Sequence, residues 1–138
     1  MQTIRLVNSY DEEQVRRGFA TEAQVHAVEI EAVVSTRATM LVLPADVVSR
    51  LGLAQEGYRK VRYSDGRIAT LPWVAGIRIT VLGREAAVNA LVDAAGTTPV
   101  IGHVPVTALD LHIDPGSGEL RPNPASPSEP LMDALATA

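Results

Sequence analysis

Val33-Val34-Ser35-Thr36-Arg37-Ala38-Thr39-Met40-Leu41-Val42-Leu43-Pro44 decides how this chain folds, because it sets two apolar runs on either side of a short polar loop. Upstream, Val25 to Val34 alternates: Val28, Ile30, Ala32 and Val34 face one way, Glu29 and Glu31 the other. A period of two marks a strand with one buried face, so the two glutamates read as its wet side rather than as a catalytic carboxylate pair. Downstream, Met40-Leu41-Val42-Leu43 stops at Pro44, which holds the residue before it extended. Ala45 to Leu51 then reads as a short helix closed by Gly52.

Farther out the pattern stays mostly β. Ile4 to Val7 reads as an edge strand, and Asn8-Ser9 or Asp11 caps a brief helix that runs to Arg17. Acids open that helix, bases close it and Gly18 follows, as the helix dipole and a left-handed cap prefer. Tyr58 to Tyr63 and Ile68 to Leu71 flank Ser64-Asp65-Gly66-Arg67. Asp-Gly between β-type runs predicts a hairpin with a type I′ turn, whose two central residues need positive φ. Trp73 to Val81 and Ala86 to Val92 make two further strands around a turn at Leu82-Gly83-Arg84-Glu85. Val100-Ile101-Gly102 is a short apolar element, Pro105 to Leu109 one helical turn, and Leu111-His112-Ile113 extended. Asp114 to Gly118 turns the chain into Glu119-Leu120-Arg121-Pro122. The expectation is a mostly β domain over residues 1–122 with two or three short helices. A Pro-rich tail over 123–138 then forms an ordered or a loose arm.

Composition narrows the function. With 138 residues and 46% apolar side chains but only 4% aromatics, Val, Leu, Ile and Ala must fill one core. A net charge of −4 argues against a general nucleic-acid binder. Arg16-Arg17, and Arg59, Lys60 and Arg62, read as solvated basic clusters. Without cysteine there is neither a disulfide nor a thiolate metal site. His26, His103 and His112 share no helical i, i+4 spacing, so no metal and no cofactor are expected. The chain lacks a signal-peptide run and a membrane-length apolar stretch. The expectation is therefore a cytoplasmic protein with no membrane partner.

The quoted stretch resembles the retropepsin-like aspartic protease family, whose members place Asp-Thr-Gly-Ala between two apolar strands. The likeness continues through Ala45 to Gly52, similar to the small helix of bacterial members. It extends to Tyr63-Ser64-Asp65-Gly66-Arg67, similar to the tip of the flap hairpin. Thr97-Thr98-Pro99-Val100-Ile101-Gly102 resembles the family's apolar-apolar-Gly element, which threads beneath the active-site loop, and Ala108-Leu109-Asp110-Leu111 its closing helix. The resemblance spans about residues 25 to 122 and implies a closed acid-protease β-barrel with a hairpin flap. It further implies a homodimer built on terminal strands near Ile4 to Val7 and Leu111 to Leu120. Ala38, Ser64, Asp65, Gly66, Ile101 and Gly102 would line a cleft for an extended peptide.

The departure falls at the catalytic loop. Ser35 stands where the family has Asp and Arg37 where it has Gly; Thr36 and Ala38 agree. In the family two subunits each supply one carboxylate across a two-fold axis, and the pair shares a proton. A serine hydroxyl cannot take that role, and no histidine stands in a triad context that would activate it. Arg37 adds a long cation to the cleft floor. Asp93, in Leu91-Val92-Asp93-Ala94-Ala95-Gly96, only superficially resembles a displaced Asp-x-Gly. The resemblance thus implies a catalytically inactive pseudoprotease dimer that binds peptide. The alternatives are an endopeptidase family member whose loop is altered in this chain, and a structural dimerisation module.

Overall fold

Nine strands and three α-helices lie among residues 1–134, which the computed structural model describes. The strands are β1 (Gln2–Asn8), β2 (Ala27–Val34), β3 (Leu41–Pro44), β4 (Gln55–Arg62), β5 (Ile68–Val81), β6 (Arg84–Asp93), β7 (Val100–Ile101), β8 (Leu111–Ile113) and β9 (Leu120–Pro122). The helices are α1 (Ser9–Arg16), α2 (Ala45–Leu51) and α3 (His103–Ala108). The class is mostly β, with one mixed seven-stranded sheet in the order β1-β2-β7-β3-β6-β5-β4 and a separate β8–β9 pair. An added β1–β5 pairing returns the ladder on itself, leaving β4 outside the circuit as an extension of β5. Within it β2–β7 and β3–β6 run parallel, and the remaining pairs antiparallel.

That closure corrects the expectation for the N-terminus. From Arg5 to Val7, β1 bonds to β2 on one side and to β5 on the other, so it is not an edge. Its burial shows why: Ile4 and also both Leu6 and Val7 are enclosed, where a strand with one wet face would bury alternate residues only. Only its first residues keep one open side for a partner. β2 follows its alternation, with Val28 and Ala32 buried and Glu29 and Glu31 exposed.

β5 is a second correction. Two strands separated near Pro72 were expected; instead one strand of 14 residues runs through Pro72, which stands opposite Tyr58. The irregularity falls between Val74 and Ile77, where the register with β6 shifts and Gly76 takes φ +79°. That positive φ favours glycine, while the Tyr10 ring, 2.2 Å from where a Cβ would stand, is 54% exposed and able to swing aside. Ile68 to Val74 serve the hairpin with β4, and Ile77 to Thr80 pair with β1 in the core.

The type I′ turn expected at Asp65-Gly66 does not form there. At Tyr63 to Arg67 only Gly66 has positive φ (+88°), with the Tyr63 N–H donating to Arg67 O (2.8 Å) and the Gly66 N–H to Tyr63 O (2.9 Å). This is a three-residue loop with a left-handed glycine, not a type I′ turn. The two-residue turn with both φ positive is Leu82 (+51°) and Gly83 (+79°), between the paired Val81 and Arg84. Leu82 bears the steric cost of that conformation, about 1–2 kcal/mol for a non-glycine residue.

α1 is capped as read: the Asn8 side chain accepts from the Tyr10 and Asp11 N–H groups at 2.9 and 3.1 Å. α2 buries Val47, Val48 and Leu51 and ends on left-handed Gly52 (φ +66°). Ile4, Leu6, Leu41, Leu43, Leu51, Ile77, Ile79, Ile101 and Leu109 are the largest fully enclosed side chains and form the aliphatic core inside the circuit. Among the described residues no helix is long and apolar enough to cross a membrane.

α3 begins two residues before the expected turn, and the expected closing helix at Ala108 to Leu111 is absent. Asp110 takes φ +54° and turns the chain into β8, which pairs with β9 (Leu111 opposite Pro122). Asp110, expected inside that closing helix, is instead the clasp of the tail. Its carboxylate accepts from the Asn123 amide (2.8 Å), the Ser126 hydroxyl and the Leu131 N–H (2.9 Å). Arg84, 5% exposed, donates to Asp110 O (2.7 Å) and to Ser126 O from the body side. These bonds fasten the tail to the body as far as Leu131; Leu135, in the apolar close of the chain, lies outside the described residues.

The Leu131 N–H, the Ser126 hydroxyl and the Asn123 amide hold the Asp110 carboxyl down at about 2, below its ordinary 3.8. A depressed carboxyl stabilises the folded form above its unfolded value and ceases to do so as pH falls through the folded one. The tail is therefore expected to loosen between about pH 4 and pH 2. Asp110→Asn, which cannot accept all three bonds, should loosen it already at neutral pH. Amide exchange at Leu131 checks this: about tenfold faster exchange in the variant is expected, the factor implied by losing a bond to a charged acceptor.

Candidate functional site

β7 is the pivot of the site. It lies between β2, to which it is parallel, and β3, to which it is antiparallel, so the loop 35–40 joining those two strands must cross it. Backbone bonds fasten the crossing. The Ser35 N–H donates to Ile101 O (3.0 Å), the His103 N–H to Ala38 O (2.8 Å) and the Val104 N–H to Thr39 O (2.8 Å). Within the loop the Ala38 N–H donates back to Ser35 O (3.2 Å), closing a turn around Thr36 and Arg37. Arg37 is not among the residues with positive φ, so this turn needs no glycine for its backbone. Arginine there changes what fills the space, not how the chain bends.

Above the loop stands the β4–β5 hairpin. Between the two is a cleft of about 1040 Å³ lined by Ser35, Arg37, Ala38, Thr39 and Met40 below and by Arg59 to Ser64, Gly66 and Leu71 from the hairpin. Val33, Val42, Leu91, Asp93, Thr98 and Val100 complete its walls. Strand alternation puts Arg59 and Val61 on one face of β4, with Lys60 and Arg62 on the other. Arg59 lies over the Trp73 ring (5.0 Å to its centroid), and Arg67 over Tyr63 (4.3 Å), contacts that fix both guanidinium groups.

The structure brings together Ser35, Arg37, Ala38, Ser64 and Gly66 as lining residues. Thr36 is exposed on the outside of the turn. Asp65 does not line the cleft either; its carboxylate accepts from the Arg67 N–H (2.9 Å) within the hairpin tip. Ile101 and Gly102, expected to touch a ligand, are buried under the loop instead. Their contribution is support: Ile101 O anchors Ser35, and Gly102 packs against the backbone of residues 38–40.

None of the three histidines lines the cleft. His26 Nδ1 pairs with Asp11 (2.7 Å) beside α1, and His103 opens α3 with an exposed side chain. Ser35 therefore has no imidazole to activate it within this cleft. Among the described residues no group of three His, Asp or Glu could hold a metal ion.

Among the described residues Asp93 is the one carboxylate that lines the cleft. It ends β6, accepts from the Tyr63 hydroxyl (3.3 Å) and from the Ala94 N–H (2.8 Å), and so ties the hairpin tip to the cleft wall. Burial first, and then the Asp93 charge, push the Tyr63 hydroxyl above its ordinary value. Neither partner of this tie is apparent from sequence spacing, because they lie thirty positions apart on elements joined only through β5. The unshared charge is equally hard to read there. Arg59, Lys60 and Arg62 form a short run, and only the fold adds Arg37 to them. No protein-family model and no curated protein matches this sequence.

Proposed function

We propose that this protein is a retropepsin-like homologue without peptidase activity, which pairs with a second copy and holds an extended peptide between the loop and the hairpin. The observation that carries the reading is the crossing of loop 35–40 over β7, fastened at Ser35 to Ile101, at Ala38 to His103 and at Thr39 to Val104. The six-strand circuit around the core and the hairpin over the loop agree with an acid-protease barrel and its flap. Catalysis in such a scaffold needs a proton-sharing carboxylate pair, and the loop offers Ser35 instead. Asp93 does not replace it, being engaged by Tyr63 at the side of the cleft. Val33 and Val104, exposed at 39% and 47% beside the loop, offer apolar surface to a second subunit.

The test is incubation of the purified protein with a denatured, unbiased peptide library at acid and neutral pH, with light scattering on the same sample. Cleavage at background and a dimer are expected. Turnover that disappears in Ser35→Ala would overturn the inactive assignment, and a concentration-independent monomer would overturn the dimer.

A further inference from the structure

We infer that the cleft selects an acidic peptide, bound as an added strand along the open side of β4. This rests on the peptide-site reading above and supplies the chemistry of the ligand. The chain carries sixteen acids against twelve bases, yet the cleft inverts that balance, with Arg37, Arg59, Lys60 and Arg62 facing Asp93 alone. Elsewhere Arg16, Arg17, Arg78, Arg84 and Arg121 are each paired with a carboxylate. Among the described residues none of the four cleft cations has a carboxylate partner within 4.0 Å. The single acid in the cleft is already engaged with the Tyr63 hydroxyl.

β4 ends the sheet, bonded to β5 on one side only. Its other side presents backbone donors and acceptors that an extended peptide satisfies. The cations along it choose the guest. A second copy of β4 laid against the first would bring Arg59, Lys60 and Arg62 against their own kind, which disfavours self-pairing. A strand with carboxylates at alternate positions sets them all on one face, where they meet either the Lys60 and Arg62 pair or Arg59, which is held over Trp73 and presents a preset fork. A nucleic acid shares the charge but has no peptide groups to pair with the strand edge, so peptide is the better fit.

Three fluorescein-labelled nonapeptides that differ only in carrying glutamate, glutamine or lysine at alternate positions test this by polarisation, with an oligo(dT) of similar charge as a fourth probe. The glutamate peptide is expected to bind about tenfold or more tightly than the glutamine one, and the advantage should shrink between about 20 and 300 mM salt as the charges are screened. Lys60→Glu with Arg62→Glu, both exposed positions, should reverse the order in favour of lysine while circular dichroism stays unchanged. Equal binding of all three peptides would overturn the charge selection and leave the peptide site standing. No binding of any peptide would overturn both. Tighter binding of oligo(dT) than of the glutamate peptide would replace peptide by nucleic acid, and an unchanged order in the double variant would remove the site from β4.

Discussion

Under the retropepsin-like reading proposed above, Ser35→Asp together with Arg37→Gly is expected to raise peptide hydrolysis by about 10²–10⁴-fold over the unaltered protein, with inhibition by pepstatin and an acid optimum. The loop is already held in place for such a group. The Ser35 N–H bonds to Ile101 O and its carbonyl to the Ala38 N–H, and its side chain lines the cleft. An aspartate at this point would meet its symmetry mate in a dimer, and two close carboxylates share one proton because both cannot ionise. Both changes are needed. With Arg37 retained, the nearby guanidinium favours the charged carboxylate and removes the shared proton, so Ser35→Asp alone should stay at background. A double variant that is folded and dimeric but inert, measured on the same peptide library, would count against the proposed retropepsin-like reading.

The largest stability effect is expected at Gly102→Ala. A Cβ there would stand 2.4 Å from Met40 O, 2.7 Å from Ala38 O and 2.8 Å from Thr39 C. All three are backbone atoms, so no side chain can swing aside. Conformation is not the reason, since φ is −91°; space is. To admit one methyl group the loop must rise from β7, breaking the bonds from His103 to Ala38 O and from Val104 to Thr39 O. Overpacking and the lost bonds together should cost about 2–5 kcal/mol, read as a lower urea midpoint. Gly116→Ala is the control: its nearest neighbour is the Asp114 carboxylate at 3.9 Å, and a change within about 0.5 kcal/mol is expected. Equal losses at the two positions would mean that the contact between residues 38–40 and Gly102 does not support the fold.

These two positions differ in how legible they were. Ser35 and Arg37 stand out in the sequence because a short loop between apolar runs confines attention to few residues. Gly102 reads there as one more glycine after an apolar pair; its requirement comes from a backbone sixty positions away. The same contrast runs through the fold. The alternation of β2, the Asn8 cap and the Gly52 stop are local patterns and were readable. The continuity of β5 through Pro72 was not, because it depends on what stands opposite. Asp110 was misread because its tail partners are distant in sequence.

Local chemistry by itself determined that this chain is mostly β, where its hairpins turn, and that the loop between β2 and β3 has no carboxylate, since each follows from periodicity, turn residues or side-chain identity over a few positions. Tertiary structure alone decided that β1 closes the ladder, that Asp93 is engaged by Tyr63, and that Arg37 joins Arg59, Lys60 and Arg62 around one space. Pairing partners and shared cavities depend on which distant segments pack together, and no short window of sequence contains both sides of such a contact.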